Sequence, residues 1–162
     1  MFPFEQLFKA LNEAGVRYVV VGGVAVVLHG HMRYTGDLDL VIDLSPAEAR
    51  KAMETMTRAE FTPRVPVRAT DFADADLRQS WIDEKNMIVF SMLDRDQPPN
   101  VVDFFVSYPV DFEQLWQRSI VVPIETTTVR IASIDDLITM KRAAGRAKDL
   151  LDIEELENIR RS

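Results

Sequence analysis

The segment DLDLVI, which begins at Asp37, alternates acidic and apolar residues inside a strand-like run. Because side chains two residues apart on a strand face the same side, Asp37, Asp39 and Val41 share one face and the two leucines share the other. The apolar face can pack into a core, which leaves the acidic face toward a cleft or solvent. The segment therefore predicts a strand that presents paired carboxylates.

A chain of 162 residues can bury a substantial core, and its composition is that of an ordinary globular protein, so we predict one domain over residues 1–162. The absence of cysteine excludes disulfides, thiolate metal sites and cysteine nucleophiles. The N-terminal sequence lacks the pattern of a signal peptide. The longest apolar stretch, 18–28, contains glycines and is too short to span a bilayer. These features predict a cytoplasmic protein without membrane segments.

The formal net charge of −7 argues against a surface built as a whole to bind duplex nucleic acid. Such affinity comes largely from Lys and Arg side chains that neutralise phosphates. A local basic cleft remains compatible with this charge.

Hydrophobic periodicity and turn residues predict interspersed helices and strands. Ser45, Pro46 and Glu48 have the pattern of a capping box at the start of one helix. Two strands joined by the turn sequence RDQPPN are expected to pair antiparallel. We predict an α+β (mixed α/β) fold with a mixed sheet, flanking helices and a helical C-terminus. Predicted helices open the chain and then cover 24–29, a stretch from 46, 74–84, 112–118, 134–144 and a stretch after 145 to about 160, and predicted strands cover 17–21, 37–42, 87–93, 101–106, 120–124 and 129–131.

A third carboxylate, Asp103, lies in the predicted strand 101–106, in the sequence VVDFF. If this strand lies beside that of Asp37 and Asp39, the three carboxylates converge. Like charges at short range raise a pKa or require a cation. Oxygen ligands in a chain with two histidines and no cysteine favour Mg²⁺ or Mn²⁺.

Gly22 and Gly23 precede the helical run that starts at residue 24. A Gly-Gly turn at a helix N-terminus offers backbone N–H groups and the positive end of the helix dipole to an anion. Phosphate beside a carboxylate-held divalent ion is the arrangement used in phosphoryl and nucleotidyl transfer. Either motif alone also occurs without a ligand, and their combined order and spacing favour the functional interpretation.

The pattern G-G-x-A-x-x-x-H-G-x-x-R-x-T-x-D-L-D-L, which begins at Gly22, resembles the signature of the DNA polymerase beta-like nucleotidyltransferase superfamily. It is similar in particular to the small bacterial branch that includes the AbiEii-type toxin nucleotidyltransferases. The segment DDLITMKRAAGRAKDLLDIEEL, which begins at Asp135, is similar to the second signature of that branch. The resemblance extends over nearly the whole chain and is weakest between residues 57 and 85.

The resemblance implies a polymerase beta-like fold with Asp37 and Asp39 as metal ligands and Gly22 and Gly23 in the loop that contacts the triphosphate. It also implies that Asp103, as the third carboxylate, helps to activate the acceptor hydroxyl. Many superfamily members have Gly-Ser where this chain has Gly-Gly, so phosphate contacts here must come more from backbone N–H groups.

The second signature implies that Lys141 steadies a phosphate and that Lys148, Asp149 and Asp152 line the nucleotide side of the cleft. The alternative for these four residues is a solvated helix face with local ion pairs.

We therefore expect a metal-dependent transferase that moves a nucleoside monophosphate from ATP or another NTP to a hydroxyl and releases pyrophosphate. The acceptor is a tRNA 3′ end, a protein side chain or a small molecule. The alternative is a weakly active or inactive binding partner in a toxin–antitoxin pair. A third interpretation, magnesium-dependent phosphoester hydrolysis, lacks a general acid near the motif.

Several other residues are predicted to have structural roles. His29 lies in an apolar run and is predicted to be a hydrogen-bonded structural histidine. Thr35 is predicted to support the loop before Asp37, and the two tryptophans, Trp81 and Trp116, to lie in the core or on a partner surface. A tRNA acceptor requires a basic rim, for which the candidates are Arg64, Arg68, Arg78, Arg142 and Arg146.

Overall fold

Helices and strands are interspersed along the chain in the computed structural model, which describes residues 3–162. The helices are α1 (Glu5–Glu13), α2 (Gly22–His29), α3 (Pro46–Arg58), α4 (Ala75–Lys85), α5 (Phe112–Arg118), α6 (Ile134–Ala144) and α7 (Ala147–Arg161), with a 3₁₀ helix at Ala69–Ala73. The strands are β1 (Tyr18–Val21), β2 (Leu38–Ile42), β3 (Thr62–Pro63), β4 (Val89–Leu93), β5 (Val101–Phe105), β6 (Ile120–Ile124) and β7 (Thr127–Ile131).

The strands form one mixed sheet in the order β3-β4-β5-β2-β1-β7-β6. Near its centre, β2 pairs antiparallel with β1 and parallel with β5, and β1 pairs parallel with β7. The predicted antiparallel pairing of β4 and β5 is confirmed. A mixed sheet flanked by helices, with two helices at the C-terminus, confirms the predicted α+β fold.

Strand β2 shows why paired carboxylates fit beside a core. Leu38 and Leu40 are fully buried, as the alternation requires. Val41, on the face that carries Asp39, is also buried, so this face is open only at the beginning of the strand. Asp37 was predicted to lie within this strand. It lies one residue before β2, because pairing with β5 begins at Leu38.

Helix α3 begins at Pro46, after Ser45 at the N-cap, as predicted. The predicted capping box is wrong, because the Ser45 side chain makes no capping hydrogen bond. Asp43 Oδ1 accepts the backbone N–H of Ser45, which Glu48 would bond in a capping box. Glu48 pairs instead with Lys51 at 3.1 Å.

The predicted bounds of α5, β6 and α6 are confirmed. Helix α2 begins two residues earlier than predicted, because the Gly-Gly pair is itself its first turn. Strand β7 also begins two residues earlier, since its antiparallel ladder with β6 continues to the turn. The irregular stretch before α4 contains β3 and the 3₁₀ helix.

Aromatic side chains fill much of the core on the sheet face that carries Leu38 and Leu40. Phe8 of α1 is fully buried and stacks on Tyr18, and Phe90 of β4 lies between Phe72 and Trp81, with ring centroids 5.2 and 5.4 Å away. No helix within residues 3–162 has both the length and the hydrophobicity needed to cross a lipid bilayer.

Candidate active site

Three carboxylates converge at the beginning of β2, as the sequence predicted if β2 and β5 were neighbours. Asp39 and Asp103 are register partners on these two parallel strands, so their side chains leave the sheet on the same face. Asp37, just before β2, lies beside them. All three line one cavity of about 950 Å³, which we call the polar cavity.

Burial and the neighbouring carboxylates make Asp37 and Asp39 costly to ionise. Burial is the largest effect on Asp39, and repulsion from Asp103 and Asp37 adds to it, which together raise the pKa of Asp39 to about 7. Lys141 and Arg146 offset part of this shift. Burial and repulsion from Asp103 also raise the pKa of Asp37, against an opposing effect of Arg64. The cluster therefore favours a proton or a cation.

The chemistry of these donors suits a hard divalent cation, because the carboxylates offer only oxygen ligands. Within residues 3–162, no three acidic or histidine side chains already form a closed ligand set for a metal ion. Asp37, Asp39 and Asp103 share a cavity without reaching that geometry.

Ser91 of β4 orients the third carboxylate and was not identified from the sequence. It is the register partner of Asp103 on the neighbouring strand, and its Oγ donates a 2.5 Å hydrogen bond to Asp103 Oδ1. This contact depends on the pairing of β4 with β5, and a lone serine in a strand carries no signal of it.

The Gly-Gly turn lies directly against the carboxylates. Gly22 has φ +67°, and a Cβ at this position would lie 2.2 Å from Asp39 Oδ2. Only glycine therefore leaves room for the carboxylate. The N-cap residue of α2, Val21, makes no side-chain capping hydrogen bond, so no cap occupies the first N–H groups of this helix. Gly22 and Gly23, at the same helix end, line the polar cavity.

Thr35 occupies the space beside the second glycine. A Cβ on Gly23 would lie 2.4 Å from Thr35 Oγ1 and 3.1 Å from Arg33 Nη2. A serine at position 23 would collide with this threonine. The chain thus presents a hydroxyl here from the loop before β2 rather than from the glycine turn.

Helices α6 and α7 contribute buried ion pairs beside the polar cavity. Lys141 Nζ lies 2.9 Å from Asp152 Oδ2 and 3.6 Å from Asp149 Oδ1, and all three side chains are nearly inaccessible. Arg33 binds Asp152 with two hydrogen bonds of 2.9 and 2.7 Å, and Arg146 binds Asp149 in the same bidentate manner at 2.9 and 3.2 Å. These carboxylates anchor the cations of the cavity wall.

The ion pairs hold both acids in the charged form. Burial alone would raise the pKa of Asp152, but hydrogen bonds from Arg33 and Lys141 outweigh it and lower the pKa. Arg146 and Lys141 do the same for Asp149. Lys148, in the first turn of α7, is exposed, lines the polar cavity and has no ion pair with another described residue.

The histidine and the two tryptophans that were expected to be structural lie in different environments. His29 Nε2 donates to the Ala132 carbonyl at 2.8 Å, which confirms a hydrogen-bonded structural histidine. Trp81 is buried in the core. Trp116 is half-buried, with the guanidinium groups of Arg17 and Arg130 over its ring.

Arg78 was a candidate for the basic rim of a tRNA acceptor site, and this prediction is wrong. This residue is buried and donates to the Phe72 carbonyl, because it closes the 3₁₀ turn before α4. Arg142 pairs with Glu157 and Arg68 with Asp71. Only Arg146 among the five candidates lines the polar cavity.

A second cavity of about 650 Å³, which we call the apolar cavity, adjoins the first. The two share Gly22, Asp39, Asp103, Lys141 and Arg146. Most of its remaining wall is apolar and comes from β4, β5, α6 and the residue before β4, namely Ile88, Val89, Phe105, Leu137, Met140 and Ala144.

Asp39→Asn is expected to stabilise the metal-free protein more at pH 8 than at pH 5. The folded pKa of Asp39 is raised from 3.8 to about 7, so the native state keeps a proton that the unfolded state releases above about pH 4. The wild type therefore loses stability as the pH rises from about 4 to 7, by about 1 to 4 kcal/mol, and the variant does not lose this contribution. Urea unfolding in EDTA measures the difference. Asp83→Asn, an exposed site on α4, is the control, and a difference independent of pH would contradict the assignment.

Gly23→Ser is expected to destabilise the protein, and Thr35→Ala to relieve much of the loss. The added Cβ forces Thr35 to move, and removal of Oγ1 frees the space. Thermal unfolding of the two single variants and the double variant should give a coupling of about 1 kcal/mol or more. Gly36→Ser is the control, because a Cβ there meets nothing closer than 3.7 Å. Additive effects of the two substitutions would contradict this prediction, because they would mean that the loop moves away from the new side chain without a cost in stability.

The comparisons with known proteins agree with the fold. The profile of a family described as "Nucleotidyltransferase of unknown function (DUF6036)" matches residues 4–161. A search of curated proteins finds no match. The crystal structure of an antigenic nucleotidyltransferase-like protein from Paracoccidioides brasiliensis is similar, with a TM-score of 0.60 and 17% identity over 95% of this chain and 72% of that chain, a likeness that shows the fold alone. By the match over residues 4–161, the chain belongs to this family of nucleotidyltransferases.

Proposed function

We propose that the protein is a metal-dependent nucleotidyltransferase that moves a nucleoside monophosphate from an NTP to an acceptor hydroxyl. One observation carries this proposal. Asp39 and Asp103 face each other across β2 and β5 directly beside the Gly22–Gly23 turn, within a single cavity. A carboxylate cluster and an uncapped helix N-terminus are the two halves of a site for a metal-bound triphosphate.

The chain offers several groups to the phosphates. The first N–H groups of α2 and the positive end of its dipole provide fixed donors. Lys148 provides a cation that no described carboxylate neutralises. Lys141 and Arg146 lie at the boundary of the two cavities, where Asp152 and Asp149 fix their positions.

Asp37, Asp39 and Asp103 would hold Mg²⁺ or Mn²⁺ as oxygen ligands. The metal would supply positive charge at the α-phosphate and at the pyrophosphate leaving group. The raised pKa values of Asp37 and Asp39 fit such a role, since they show how unfavourable the anionic cluster is without a cation.

Asp103 is the group that would take the acceptor proton. Its Oδ1 accepts from Ser91, which fixes the carboxylate and leaves Oδ2 for the acceptor hydroxyl. The acceptor oxygen forms a bond to the α-phosphorus while the bond to the α–β bridging oxygen breaks. Pyrophosphate leaves with that electron pair, and the hydroxyl proton passes to Asp103.

The membership in an AbiEii-type branch, the binding of ATP and a partner in a toxin–antitoxin pair stay predictions from the resemblance. The alternative of an inactive binding partner drew its support from Gly23. The position of Thr35 weakens that support, because a hydroxyl is present beside the turn although residue 23 is glycine.

The test is thermal unfolding with ATP, GTP, CTP or UTP, each with and without Mg²⁺. A nucleotide that binds only the folded wild type should add about 2.7 kcal/mol at a hundredfold excess over its Kd, and only with Mg²⁺. Asp39→Asn should abolish this stabilisation, because it removes a metal ligand. Asp103→Asn should reduce pyrophosphate release more than nucleotide binding.

The control for these variants is Asp83→Asn, an exposed carboxylate on α4 outside both cavities. It should retain full nucleotide stabilisation. Equal stabilisation of wild type and Asp39→Asn, or none by any NTP in a protein that unfolds cooperatively, would contradict the proposed transferase.

A further inference from the structure

The cations around the site are unequally divided between the two cavities. Arg33 and Lys148 line the polar cavity but not the apolar cavity, as do Gly23 and Asp37. Among the cations of residues 3–162, only Lys141 and Arg146 reach the apolar cavity, and both are paired with buried carboxylates of α7. The polar cavity is therefore the one suited to a triphosphate.

The two cavities meet at the carboxylates. Asp39 and Asp103 line both, so an α-phosphate bound there faces the polar cavity on one side and the apolar cavity on the other. In phosphoryl and nucleotidyl transfer the attacking and leaving oxygens lie roughly in line through the phosphorus. A pyrophosphate that leaves into the polar cavity requires an attacking oxygen that comes from the opposite side.

From this geometry we propose that the apolar cavity binds the acceptor, and that the acceptor is a small uncharged alcohol or phenol. This assignment rests on the proposed function. The volume of about 650 Å³ is in the range of cavities that hold small molecules. Phe105, Met140 and Leu137 provide an apolar wall, and Asp103 at the boundary takes the hydroxyl proton as the bond to the α-phosphorus forms.

A polyanionic acceptor fits this cavity poorly. Its wall offers no cation that is free of a carboxylate partner within residues 3–162. Arg78 is buried away from any rim, and the net charge of −7 repels a phosphate chain outside the cavity. Among the acceptors open at the outset, this charge distribution therefore disfavours the tRNA 3′ end.

Methionine methyl NMR tests the proposal directly, because Met140 is part of the cavity wall. With ¹³C-methyl methionine in the full chain, 4-methylphenol should shift the Met140 resonance in a saturable manner. The resonance of Met53, which is buried in α3 and lines neither cavity, is the internal control. In Asp103→Asn, which is expected to bind the nucleotide but to transfer it slowly, a saturating concentration of the nucleotide that stabilises most, with Mg²⁺, should leave 4-methylphenol bound.

Matched variants assign the shift to the cavity. Ile88 is 69% exposed at the cavity wall, and Ile120 is 45% exposed on β6 outside both cavities. Ile88→Glu should weaken 4-methylphenol binding about tenfold or more and leave nucleotide stabilisation unchanged. Ile120→Glu should change neither. Because both side chains are exposed, neither variant threatens folding.

The outcomes separate this assignment from the proposed function. Displacement of 4-methylphenol by the nucleotide, or an equal Met140 shift from the trinucleotide CCA, would overturn the acceptor assignment and leave the transferase intact. Intact nucleotide stabilisation with no saturable Met140 shift would overturn it as well. Loss of all nucleotide stabilisation while 4-methylphenol still binds would defeat the transferase, and with it the acceptor role.

Discussion

The repulsion among Asp37, Asp39 and Asp103 is the constraint on which the rest of the cleft depends. Burial and repulsion together raise the pKa of Asp39 to about 7, so the charged cluster persists only if a cation or a proton compensates it. Sheet pairing makes the cluster unavoidable, because β2 and β5 put two carboxylates in register. Gly22 then has to be glycine, since any side chain would overlap the Asp39 carboxylate.

Asp152 links three distant parts of the chain around that cluster. It binds Lys141 of α6 and Arg33 of the loop before β2, and it belongs to α7 itself. A bidentate arginine pair with a nearly inaccessible carboxylate has a narrow range of geometries, so α7 and the loop hold each other in place. The C-terminal helices thereby determine where the cations stand relative to Asp39, although no residue of α7 belongs to the sheet.

Local patterns predicted the parts of the site that belong to single elements. The alternation in β2, the VVDFF strand and the glycine turn are each recognisable from a few consecutive residues. The carboxylates lie together because β2 and β5 are neighbouring strands. The contact of Ser91 with Asp103 and the pairing of Arg33 with Asp152, 119 positions apart, carry no local signal. The capping box failed for a local reason instead, because Asp43, two residues before Ser45, accepts the N–H that Glu48 was expected to bond.

The division of charge at the site has a consequence for selectivity. An acidic protein repels polyanions over most of its surface, and only a cavity with fixed N–H donors and anchored cations reverses that potential locally. A metal-bound triphosphate is compact enough to benefit from such a short-range reversal, since salt screens the more distant charges within about 10 Å. A long phosphate backbone would extend beyond this cavity and be repelled by the acidic surface around it. On the proposed function, the buried pairs of α6 and α7 serve selectivity as well as stability, because they hold positive charge at the cleft that would bind the phosphates.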